Sequence, residues 1–77
     1  MTRLRLVPYR ELSKVAETCG FLWVRREGSH NVFRNAKGRI VVIPDHGSHV
    51  IVRPLLRKIV RDLGLDIEGY HRALQQI

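Results

Sequence analysis

Apolar positions follow three different rhythms along this chain. Leu12, Val15, Ala16 and Cys19 recur at helical spacing, so residues 8–19 predict an amphipathic helix, with Pro8 at its first position and Gly20 at its C-terminal cap. At Phe21 the rhythm breaks. Residues 21–26 are short, aromatic and β-branched, and Glu27-Gly28-Ser29 closes them, which predicts a strand and a turn. A second strand is expected over residues 30–35, a turn at Ala36-Lys37-Gly38, and a third strand over 39–43 that Pro44 ends. Short connections make these three an antiparallel meander. After the polar stretch 45–49 and Val50-Ile51-Val52, Arg53-Pro54 opens a second helix. Its apolar stripe is Leu55, Leu56, Ile59, Val60 and Leu63, and Gly64 stops it. Asp66 is the expected N-cap of a last short helix carrying Ile67, Tyr70, Leu74 and Ile77.

The order helix, three strands, helix, short helix predicts an α+β fold in which helices cover one face of a small antiparallel sheet. At 77 residues the expectation is a single domain over 1–77. The strands carry apolar residues on both faces: Phe21 and Trp23 against Leu22 and Val24, Val41 and Ile43 against Ile40 and Val42. Two helices cover one face, so a protein partner is expected on part of the other.

Charge narrows the partners. Fourteen Lys and Arg against seven Asp and Glu leave a net +7, and all but Lys14, Lys37 and Lys58 of the fourteen are arginines. The guanidinium fork matches phosphate oxygens in bidentate fashion, so nucleic acid is the leading partner class. An anionic membrane surface would call for the charge to be gathered on one amphipathic helix, whereas here every predicted element carries some. No apolar run approaches the roughly 20 residues of a membrane span. The lone Cys19 allows no internal disulfide, which leaves the cytoplasm as the expected compartment.

His30 follows the glycine turn and stands among Arg25, Arg26 and Arg34, with Lys37 and Arg39 in the next hairpin. RNA carries its own nucleophile, the ribose 2′-hydroxyl. Its cleavage needs only a proton acceptor or donor and cations that stabilise the developing phosphorane. Imidazole suits the first task and arginine the second. From the residues alone, His30 reads first as an ordinary strand residue and second as a catalytic one, and Gly28 and Ser29 read first as turn formers and also as donors to a phosphate. Asp45, His46 and His49 are metal-ligand types, but they lack the fixed spacing of zinc motifs and no metal or other cofactor is expected. His46 reads instead as a second proton-transfer group or a substrate contact. His71 is expected to face solvent, and Trp23 and Phe33 are read as core residues, not as platforms for base stacking. A Gly-rich phosphate loop, a supported acidic dyad and a CxxC pair are all absent from the sequence.

Gly20-Phe21, an arginine-rich strand, Gly28-Ser29-His30 after Arg25-Arg26, a hairpin at Lys37-Gly38, the Pro44-Asp45-His46 step and Leu55-Leu56-Arg57-Lys58-Ile59-Val60 together resemble the HicA toxin family over roughly residues 8 to 67. The resemblance implies a fold like the double-stranded RNA-binding domain, α-β-β-β-α, here with a further short C-terminal helix. It implies metal-independent endonucleolytic cleavage of mRNA, neutralisation by a HicB-type antitoxin, and a catalytic role at His30. Arg25, Arg26, Gly28, Ser29, Lys37, Arg39 and His46 are the expected substrate contacts. Family members usually have Gly-Lys after the Pro-x-His step and Gly-Thr opening the second helix. This chain has Gly47-Ser48-His49 and Arg53-Pro54-Leu55, so no role between 47 and 55 is carried over. Two readings compete with the nuclease: a non-catalytic RNA- or DNA-binding module of the same fold, and a protein-interaction module that uses the apolar sheet face.

Overall fold

The computed structural model describes residues 3–77. Helix α1 (Tyr9–Thr18) buries Leu12, Val15 and Ala16, the stripe its spacing predicts. Pro8 caps the helix in extended conformation and is not its first residue, so Tyr9 opens the first turn. Beyond the C-cap Cys19, Gly20 takes a φ of 86°, and the Phe21 N–H reaches back to the Ala16 carbonyl. That left-handed step turns the chain into the sheet.

Strands β1 (Leu22–Glu27), β2 (His30–Arg34) and β3 (Ile40–Pro44) form an antiparallel sheet in the order β1-β2-β3. Glu27 pairs with His30, so the first turn is the two residues Gly28-Ser29, with Gly28 at a φ of 61°. The second turn is built on Asn35, whose Oδ1 accepts from the N–H groups of Lys37 and Arg39 at 3.1 and 2.8 Å. Pro44, expected to stop the strand before it, is the last paired residue of β3 and lies opposite His30. A residue without an N–H fits the end of an edge strand.

Phe33, Val41 and Ile43 face the helices, where they meet Leu56, Ile59 and Val60 of α2 (Arg53–Asp62) in the buried core. Helix α3 (Ile67–Gln76) starts as predicted, with Asp66 Oδ1 accepting from the Gly69 N–H at 2.7 Å. It buries Tyr70 and Ala73, whereas Ile67 and Ile77 stay exposed. The helices therefore lie on one face of the sheet, and the α-β-β-β-α layout of the double-stranded RNA-binding domain is present with α3 added.

Residues 3–7 have no periodic signal, yet Leu4 and Val7 are core residues. The Ile51 N–H donates to the Val7 carbonyl at 2.9 Å, and Pro8 bridges to Val50. Three longer ties hold the same segment: Arg53 Nη1 donates to the Leu4 carbonyl at 2.7 Å, Tyr70 Oη to the Arg5 carbonyl at 2.6 Å, and the Arg5 N–H to His71 Nε2 at 3.1 Å. His71 is thus a partly buried structural acceptor and not the solvent-facing residue its position implied.

Candidate active site

A β-bulge between Trp23 and Arg25 decides what surrounds His30. Trp23 pairs with Phe33 and shares its face, and its Nε1 donates to Asn31 Oδ1 at 2.9 Å on that helix side. Strict alternation would then put Arg25 and Glu27 on the helix side as well. The extra residue, Val24, reverses the phase. Arg25 comes into register with Val32, Arg26 with Asn31, and Glu27 with His30. On the outer face of the sheet, His30 accordingly stands on the central strand between Glu27 and Pro44, with Arg25 and Arg34 on the same face.

His30 is exposed. Arg25 pairs through Nε with the Glu27 carboxylate, both being solvent-accessible, so the pair orients side chains more than it stabilises the fold. Arg26, on the helix side, donates from Nε to the Gly28 carbonyl at 2.7 Å and braces the turn. The Asp45 N–H donates to the Ser29 carbonyl at 2.7 Å, tying the exit of β3 to the same turn. Gly28, Ser29, His30 and the approach to His46 therefore meet at one end of the sheet. Tyr9 lies beneath that end. Burial raises its phenol pKa, as does the Asp45 carboxylate, and the Arg26 guanidinium opposes them.

Lys37 and Arg39 lie elsewhere. They belong to the β2–β3 turn, and β2 runs its five residues between that turn and His30. At about 3.3 Å per residue the two ends are roughly 13–16 Å apart. Among the described residues no group of three histidine, cysteine or acidic side chains is placed to hold a metal ion, so Asp45, His46 and His49 do not converge. Cys19 is partly buried, and burial raises its thiol pKa, which makes it a poor nucleophile. Phe33 is a core residue as read, but Trp23 is 53% exposed because it lies on edge strand β1.

Sequence reasoning missed Glu27, the carboxylate across the strand pair from His30. A two-residue turn at Gly28-Ser29 would have revealed that pairing, since such a loop pairs its flanking residues. It also missed Asn31, which is 4% exposed and whose Nδ2 has no acceptor among the described residues, while its Oδ1 is held by Trp23.

The features described define a class: a small basic α+β domain of double-stranded RNA-binding layout, with an exposed histidine on the open face of its sheet. The sequence profile described as "HicA toxin of bacterial toxin-antitoxin" matches residues 9–65. The chain belongs to the HicA toxin family and is the toxin of a toxin–antitoxin system. No curated protein matches it.

Proposed function

We propose that this toxin is an endoribonuclease that cleaves mRNA without a metal ion, using His30 for proton transfer. The observation that carries the reading is the placement of His30: exposed on the central strand, at the sheet end where the Gly28-Ser29 turn and the exit of β3 converge. His30 takes the proton of a ribose 2′-hydroxyl as that oxygen attacks the adjacent phosphorus. The bond from phosphorus to the 5′-oxygen breaks, and the leaving oxygen takes up a proton from the imidazolium or from water. The products are a 2′,3′-cyclic phosphate and a 5′-hydroxyl. Arg25, on the face of His30, stands nearest to hold the scissile phosphate; Arg26, on the helix side, reaches a neighbouring phosphate around the turn, with Gly28 and Ser29 as backbone and hydroxyl donors and His46 at the rim. Lys37 and Arg39, at the far end of β2, hold the strand several nucleotides away. The cytoplasm, where mRNA is translated, is the site of action.

The partner is a HicB-type antitoxin. The outer sheet face exposes Leu22, Ile40 and Val42 at 69, 52 and 41% of their surface. A protein seated on those side chains would cover His30 as well, so burial of the apolar face and inhibition are one event.

Cleavage of a long single-stranded RNA by wild type and His30→Ala in excess EDTA tests the reading, with circular dichroism on both. Removal of one proton-transfer group costs about 100- to 10,000-fold in rate. A folded His30→Ala protein that cleaves as well as wild type would overturn the assignment. RNA binding without cleavage by either protein would leave the non-catalytic binding module.

A further inference from the structure

A concavity lies away from His30. A groove of about 580 Å³ runs between the N-terminal segment, α2 and the start of α3. Its floor is aliphatic, made by Leu4, Val60, Leu65 and Ile67, and its rim carries Arg3, Arg53, Arg57 and Arg61. None of these residues is on the sheet. Because α2 packs on the helix side, the groove and His30 belong to opposite sides of the molecule.

The arginines are not equivalent. Arg53 is engaged, its guanidinium donating to the Leu4 carbonyl, and this bond holds the groove's wall in place. Arg3, Arg57 and Arg61 are exposed, and none has an acidic partner among the described residues, where the ion pairs are Arg25–Glu27 and Lys58–Asp62. Arg57 and Arg61 are one helical turn apart and project from the same face of α2. The only carboxylate in the lining, Asp66, is committed to capping α3. The groove therefore offers unpaired positive charge above an apolar floor.

We propose that this groove docks an acidic amphipathic segment of a partner protein, and that on the reading above the partner is the antitoxin. Charge complementarity selects carboxylates for Arg57 and Arg61, and the floor selects aliphatic side chains between them. An RNA strand would satisfy the arginines alone and leave Leu4, Val60, Leu65 and Ile67 facing a charged backbone. The volume suits a few side chains, within the range of about 300–1,000 Å³ common to pockets that bind small ligands. Such a segment anchors the antitoxin on the side opposite to His30, so attachment and inhibition are separable. A partner held only here leaves the nuclease face open.

The test uses antitoxin affinity, measured by calorimetry, for wild type, for Arg57→Glu/Arg61→Glu and for Arg10→Glu/Lys14→Glu, the last making the same charge change on exposed positions of α1. Cleavage of single-stranded RNA by each free toxin and circular dichroism are recorded alongside, with Arg57→Ala/Arg61→Ala as a milder second variant. The groove reversal should weaken antitoxin binding at least about tenfold beyond the α1 control while its RNA cleavage matches that control. Antitoxin affinity equal to the control's would overturn the proposal. So would a selective loss of RNA cleavage in the groove variant, which would make the groove a nucleic-acid surface. Wild-type toxin that binds antitoxin but cleaves no RNA would fault the nuclease reading and leave the docking result to stand by itself.

Discussion

Tyr70 is the largest of the fully buried side chains, and its hydroxyl donates to the Arg5 carbonyl at 2.6 Å. Burial, helped by Glu11 and opposed by Arg5, pushes its phenol pKa up to about 12. The fold accepts the neutral form. An unfolded chain releases a tyrosine proton near pH 10, the folded protein near 12. The stabilisation is therefore complete below about pH 10 and is lost as pH rises toward 12, at about 1.4 kcal/mol per unit and so roughly 3 kcal/mol across the window. Tyr70→Phe should cost about 1 kcal/mol at pH 8 through the lost hydrogen bond. It should also remove most of the alkaline sensitivity, so the gap between the two proteins in urea-unfolding free energy narrows or inverts by pH 11. A parallel fall in both proteins would contradict this account. Tyr70 itself was legible from helical spacing after Asp66. Its partner was not, because Arg5 lies in a segment with no period.

At the scale of elements, legibility followed phase. Helix α2 was read in full because Leu56, Ile59 and Val60 repeat at one period and polar residues fill the gaps. The bulge in β1 was invisible for the opposite reason. Leu22-Trp23-Val24 is apolar throughout, so neither face is marked and a one-residue shift leaves no trace in the pattern. That shift brings Glu27 across from His30, and the candidate site was accordingly legible in its histidine and not in its surroundings. Helix α3 was legible from its cap. Asp66→Ala should destabilise the protein by about 1 kcal/mol, the usual cost of losing an N-cap, measured as a lower urea midpoint. Asp66→Asn, which keeps an acceptor, should recover most of it. Equal losses in both would show that the charge matters and not the cap.

Across the whole molecule, +7 of net charge is spread over both sides of the sheet. Nucleic-acid binding should therefore be strongly salt-dependent. If Arg25, Arg26, Lys37 and Arg39 each neutralise one phosphate of a single strand, the logarithm of affinity falls against that of salt with a slope of about −3, or about 50-fold between 50 and 200 mM. Anisotropy titrations of His30→Ala, the variant that the proposed mechanism makes inactive, measure the slope. A flat response would make the charge incidental to RNA and favour an interaction module. The fold class was legible at this scale because element order and turn residues agreed. The basic groove on α2 was not, since its floor needs Leu4, far away in sequence.

The ties that hold residues 4 and 5 bear also on the order in which the molecule assembles. Leu4 and Arg5 are separated from their partners Arg53, Tyr70 and His71 by 49, 65 and 66 positions. Residues 4 and 5 have no lasting place until residues 53 to 71 are made and packed against them. Closure of this end of the molecule is therefore a late step of folding, waiting on contacts of large sequence separation.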